Sequence, residues 1–313
     1  MSDTYRLITR SDFDGLICAV LLKDLDLIDD IKFVHPKDMQ DGLIEVGPRD
    51  ILTNLPYVEG AHLVFDHHSS EVQRNKAEHT NHIIDPDAPS AARVVFKHFG
   101  GCERYGHSFN EMMEAVDRAD SADYEMRDVL HPKAWTLLNF IMDARTGLGR
   151  FHDFKISNYD LMMNLIEECR TKCIEKILEL PDVKERIDVY LAHAEQFKEQ
   201  VLRCSMVHGN VVALDLREEE TIYAGNRFMI YALHPQATVS VHALWGRDKL
   251  TTVLALGKSI FDRSCRADLG KIALRHGGGG HQAAATCQVP HGDAERVLFE
   301  IVDAIECADQ VKV

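Results

Sequence analysis

Three short clusters in this chain carry residue types that bind divalent metals and handle phosphate. They are Asp12 and Asp14, within Ser11-Asp12-Phe13-Asp14-Gly15; the single Asn54; and Asp66-His67-His68. Carboxylates with one or two imidazoles suit Mn²⁺ or a similar divalent ion. Two such ions about 4 Å apart can activate a water and clamp a phosphoryl oxygen. An Asp beside a ligating His can also orient that imidazole. Taken alone, Asp12-Phe13-Asp14-Gly15 also reads as a turn with a helix cap, and Asp66-His67-His68 as a polar loop. Farther on, Ala115-Val116-Asp117-Arg118-Ala119-Asp120 closes a stretch rich in acids. Either Asp117 or Asp120 could reach the cluster; a solvated helix face is the other reading.

The elements that would position these groups follow from periodicity. Residues 6–9, 31–34 and 51–53 read as strands, and 61–65 is a short apolar run ending in acid. Residues 15–27 have helical apolar spacing. Such βαβ alternation predicts a parallel sheet with helices on its faces. Each polar cluster falls just after a strand, and open α/β sheets bind ligands outside the carboxyl ends of their strands. The clusters therefore converge on one sheet edge. From residue 111 to 204 the pattern turns helical. Pro181 is expected to break it, and residues 183–201 read as one charged, amphipathic connecting helix. Strand signals return at 211–214, 238–243 and 251–256.

The fold class expected is α/β in two domains, as 313 residues suggest. Residues 1–190 form a parallel-sheet domain with a helical extension, 191–204 a connecting helix, and 205–313 a smaller α/β domain. No stretch approaches the roughly 18 apolar residues of a membrane span, and the start lacks a signal-peptide pattern. Eight scattered cysteines suit reduced thiols, so a cytoplasmic protein is expected. A formal net charge of −15 argues against long duplex nucleic acid as a partner. An acidic protein that acts on phosphate needs local positive charge, from bound metal and a few arginines.

A second feature lies far downstream, at Gly277-Gly278-Gly279-Gly280-His281. Four glycines let the backbone approach a ligand, and consecutive N–H groups can form an anion nest. His281 could donate to a phosphate or a base edge. The alternative is a flexible loop before a strand at 283–287. Leu256-Gly257-Lys258-Ser259 has the end of a phosphate-binding loop, but Thr252 stands where its first Gly must be, so that reading is rejected.

Together these residues resemble the DHH phosphoesterase superfamily. Ser11-Asp12-Phe13-Asp14-Gly15 is similar to its first motif, Asp66-His67-His68 to the third, and Asp120 to the fourth. Ala88-Pro89-Ser90-Ala91-Ala92 is similar to a segment common in the family. Gly277–His281 matches the signature of the companion DHHA1 domain. The resemblance implies a dinuclear Mn²⁺ site, with Mg²⁺ as the alternative to Mn²⁺, ligated by Asp12, Asp14, His67 and Asp120. Asp66 and His68 would support it or contact substrate. Gly278, Gly279, Gly280 and His281 would bind the substrate's far end, with Arg263 and Ser264 near its phosphates. Two positions depart from the pattern. Arg10 stands where the first motif opens with His or Asp, and Asn54 where the second supplies a bridging Asp. Arginine has no lone pair to give a metal, but its fork suits phosphate.

The function expected is a metal-dependent phosphoesterase using one or two ions. It would cleave a small phosphate-containing substrate, such as polyphosphate, pAp or a short oligonucleotide, in the cleft between two domains. His68, Asp66 and Arg10 are its candidate catalytic residues, Asn54 a fifth candidate ligand, and a homodimer is compatible with it. The other reading is a non-catalytic nucleotide or phosphate sensor on the same fold. Arg10 and Asn54 are its support.

Overall fold

The computed structural model describes residues 4–68, 71–72, 79–151, 153–246 and 249–310. Residues 1–3 and 311–313, the outer ends of the expected domains, lie outside them. The chain divides into two compact units. The first comprises residues 1–123, 132–144 and 148–188; the second comprises 124–131, 145–147 and 189–313.

The first unit is built on five parallel strands: β1 (Tyr5–Arg10), β2 (Ile28–Val34), β3 (Asp50–Thr53), β4 (Leu63–Asp66) and β5 (His82–Ile84). Their order is β2-β1-β3-β4-β5, a doubly wound arrangement whose direction reverses between β1 and β3. Ile8, Leu52 and Val64 share one buried cluster, with Leu55 and Ala61 beside them. The strand ends are in register, Thr9 opposite Thr53 and Thr53 opposite Phe65. Two buried hydroxyls fix that register, Thr53 donating to Thr9 (2.7 Å) and Thr9 to the Thr53 carbonyl (3.1 Å).

Helix α1 (Phe13–Asp24) follows β1 directly and is buried from Phe13 to Leu22. It is apolar all round because it lies inside the unit, under α2 (Ala91–His98), α3 (Asn110–Asp120) and α4 (Asn158–Thr171). Burying each of Leu16, Ile17, Val20, Leu21 and Leu22 contributes about 1.5–3 kcal/mol. Gly15 lets the helix start this close to the sheet. A Cβ there would lie 2.0 Å from the Arg10 carbonyl oxygen.

Pro181 breaks the helical run as expected: one helix stops at Leu178 and the next, α5 (Pro181–Ala192), begins at the proline. Proline suits the first turn, where its missing N–H has no partner to lose. The single helix expected over 183–201 is two segments, with α6 (Ala194–Cys204) starting after His193. The His193 ring is committed elsewhere, its Nδ1 accepting from the Ala224 N–H (3.2 Å).

In the second unit six strands form a mixed sheet of order β10-β11-β9-β8-β7-β6. They are β6 (Ser205–His208), β7 (Val211–Asp215), β8 (Val239–Trp245), β9 (Thr251–Lys258), β10 (Gly279–Gly280) and β11 (Ala284–Pro290). Only the β7–β8 pair is parallel. Alternate residues of β7, β8, β9 and β11 pack with α7 (Leu269–Leu274) and α8 (Ala294–Gln310) in one core. Among the described residues, no helix is long and apolar enough to cross a membrane.

Candidate active site

The polar clusters gather where the sheet order reverses. Asp12 caps α1 just past β1, Asn54 turns the chain after β3, and Asp66 ends β4 with His67 and His68 next. Asn54 has φ of +56°, a left-handed conformation that Asn tolerates better than most residues. Asp120 enters from the last turn of α3.

Three of these side chains converge. Ligand atoms of Asp14, His67 and Asp120 all lie within 4.8 Å of one another. Asp14 is buried and held by the first turn of α2, its two oxygens accepting from the N–H groups of Ala91 (2.9 Å) and Ala92 (2.8 Å). Burial, and after it the nearby Asp120, push the Asp14 carboxyl well above the usual range. His67 places Nδ1 3.1 Å from the Ala88 carbonyl, so Nδ1 donates there and Nε2 is the nitrogen that faces the carboxylates. That Nε2 is buried, lies 3.0 Å from Asp120 Oδ2 and has no other partner. Burial alone would lower the imidazole's affinity for a proton, but Asp120 and Asp14 outweigh it and raise its pKa to about 9.

Asp66 and His68 form a separate pair. His68 Nδ1 lies 2.7 Å from Asp66 Oδ1, and the carboxylate is fully buried. Asp66 thus orients His68, while a backbone carbonyl orients His67. The His68 ring stays partly exposed.

The third group is Arg10, Asp12 and Asn54. Arg10 Nε lies 2.8 Å from Asp12 Oδ2. The Gly15 N–H (2.9 Å) and the Asn54 amide (3.3 Å) both donate to Asp12 Oδ1. Asp12 is therefore a helix cap and ion-pair partner, apart from the converging triad.

Asp117, the alternative to Asp120, is committed within the protein. It accepts from the Ser90 hydroxyl (2.7 Å) and pairs with the Arg93 guanidinium. Ser90 in turn caps α2, accepting from the Arg93 N–H. Asp117 therefore steadies the helix end that grips Asp14. Sequence reasoning missed the Ala91 and Ala92 amides and the Ala88 carbonyl. The capping Ser90 before an apolar helix was the signal that could have found them.

The downstream residues belong to the second unit. Gly277 and Gly278 donate to the Leu274 and Ala273 carbonyls, and His281 to that of Ala284. Gly279 and Gly280 pair with β11 as an edge strand. A Cβ on Gly278 would lie 2.2 Å from the Thr286 carbonyl oxygen, so the glycines serve close packing. The N–H groups expected to form a nest are thus largely spent inside the unit. His281, Arg263 and Ser264 are exposed. Ser264 donates its N–H to Asp262 (3.0 Å), and Arg263 Nε approaches the Ile260 carbonyl (3.4 Å). Lys258, of the rejected phosphate-binding loop, lies in β9 and donates to the Cys265 carbonyl (2.9 Å).

The donor set fits a divalent cation. Buried polar atoms without a partner are uncommon in folded proteins, yet Asn54 Oδ1, Asp66 Oδ2 and His67 Nε2 are three such atoms at this one edge. Two carboxylates and an imidazole are also the mixture that suits Mn²⁺ or Mg²⁺.

A doubly wound parallel sheet with acids and histidines at its switch point, followed by a mixed-sheet unit with a glycine run, is a DHH-type architecture. Over 97% of its length the chain is 57% identical to the pGpG-specific phosphodiesterase PggH from Vibrio cholerae, all of which is covered, with a TM-score of 0.86. The chain belongs to the DHH phosphoesterase superfamily and is a phosphohydrolase. Two distant structures share the fold alone. CDC45 from Entamoeba histolytica aligns at TM-score 0.53 and 8% identity, covering 97% of this chain and 95% of that one. RecJ in complex with Mn²⁺ from Thermus thermophilus aligns at 0.52 and 14%, covering 96% and 52%. No family model and no curated protein matches the chain.

Proposed function

We propose that the protein is a metal-dependent phosphodiesterase that hydrolyses a short linear dinucleotide of the pGpG type. The observation that carries the metal-dependent chemistry is the Asp14–His67–Asp120 triad, with its unpartnered imidazole nitrogen facing two carboxylates. The pGpG-specific relative supports a dinucleotide substrate ahead of polyphosphate or pAp. The ion is Mn²⁺ or Mg²⁺, and eight free cysteines suit work in the cytoplasm.

A divalent ion held by Asp14, His67 and Asp120 would supply Lewis-acid activation of water and neutralise charge on the phosphate. The chain's own residues do the rest. The α2 amides fix Asp14, and Ala88 turns the His67 lone pair toward the triad. Asp66 holds the His68 ring so that its outer nitrogen delivers a proton to the departing sugar oxygen. In the second unit, the exposed Arg263, Ser264 and His281 are proposed substrate contacts, with Gly278, Gly279 and Gly280 shaping the backbone before His281.

The test is incubation of the full chain, with Mn²⁺ and separately with Mg²⁺, on pGpG, pAp and polyphosphate, with products resolved by ion-exchange chromatography. The reading expects GMP from pGpG as the fastest conversion. Absence of turnover on every compound with either metal would sink it and leave the phosphate sensor standing.

A further inference from the structure

We infer that the site takes a single divalent cation and that the Arg10 guanidinium supplies the second positive centre as a fixed charge. This inference rests on the metal-dependent reading above.

Asp12 is the only other carboxylate of the first motif, and its oxygens are already committed. Oδ2 pairs with Arg10 Nε at 2.8 Å. Oδ1 accepts from the Gly15 N–H at 2.9 Å and from the Asn54 amide at 3.3 Å. A cation approaching Asp12 would meet a guanidinium and an amide N–H, both of which repel it. Asn54 is only 2% exposed, so its side chain has little room to swing away.

The charges close with one ion. A divalent cation balances Asp14 and Asp120, while Arg10 balances Asp12. A second ion would leave this edge with surplus positive charge. The Arg10 side chain remains 37% exposed. Its planar fork is therefore within reach of a ligand and suited to two phosphate oxygens at once, which an ammonium is not.

Equilibrium dialysis against Mn²⁺ with elemental analysis reads ions per chain independently of turnover. The wild-type protein is expected to saturate at one. The double variant Arg10→Gln, Asn54→Asp removes the guanidinium, frees Asp12 and adds a carboxylate, and is expected to saturate at two. Two tightly held ions in the wild type would overturn the inference and leave a metal-dependent phosphoesterase intact. No ion in the wild type would remove the metal-dependent reading as well. A folded double variant, checked by circular dichroism, that stays at one ion would overturn the role given to Arg10. Should that variant not fold, Arg10→Lys decides. It keeps the charge and loses the fork, so it should still bind one ion while its affinity for GMP falls about tenfold. Unchanged GMP affinity would overturn the phosphate contact.

Discussion

The two edges of the parallel sheet both carry charge, but they are built to opposite ends. At the N-terminal edge Arg6 grips Asp50 with two nitrogens, at 2.7 and 2.8 Å, and the Gly47 N–H (2.7 Å) completes the carboxylate. A cavity of about 680 Å³ lies there, lined by Arg6, Asp29, Glu45, Arg49 and Asp50. At the C-terminal edge Asn54, Asp66 and His67 each keep a buried atom without a partner, and two carboxylates face one imidazole. Satisfied charges hold a fold, and unsatisfied ones wait for a ligand. A cavity opens at the first edge, but the chemistry points to the second.

Substitutions that empty the C-terminal edge should therefore have the largest effect. His67→Ala removes the only nitrogen of the triad, and both Mn²⁺ binding and turnover should fall to background. Dialysis and a pGpG assay check this; a variant that keeps its ion would move the metal elsewhere. His68→Ala should leave the ion in place and lower kcat about 10²–10⁴-fold, the usual worth of a positioned proton donor. A loss of metal in that variant would show His68 to be a ligand.

Between these two effects and the smaller ones lies a dependence on pH. Without metal, the His67 imidazole stays protonated up to about pH 9, held so by Asp120 and Asp14 against its burial. A ligating imidazole must first lose that proton. Apparent Mn²⁺ affinity should then rise about tenfold per pH unit from about 7 to 9 and level off above, with at least one proton released per ion. Calorimetry in buffers of different ionisation enthalpy reads that proton. A flat profile would mean that His67 does not bind the ion.

Much of this edge was legible in the sequence, and the reason is geometric. Asp12, Asn54 and Asp66 each end an apolar run, and parallel strands bring such ends together whatever the side chains between them. The same periodicity could not separate Asp117 from Asp120. They lie three apart on one helix and share a face. What separates them is Arg93, 24 positions upstream, which reaches Asp117 only in the folded chain. Nor could sequence show that the Ala273, Leu274 and Ala284 carbonyls consume the N–H groups of the glycine run. The split of Asp12 from the triad was half visible, since Arg10 stood out as a residue that cannot bind metal. That its Nε would lie 2.8 Å from Asp12 required the structure.

The smallest expected effect on chemistry comes from the other edge. Asp50 is 4% exposed, and Asp50→Ala strips Arg6 and the Gly47 N–H of their partner. Arg6 is one-third exposed and can turn to water, which limits the cost. A loss of about 1–2 kcal/mol is expected, read from urea unfolding. Turnover per folded molecule should not change, because β1 and β3 remain tied at their far ends by Thr9 and Thr53. A variant equally stable but slower would break the comparison. The cavity at the N-terminal edge would then be part of the reaction, and satisfied charge would no longer distinguish scaffold from site.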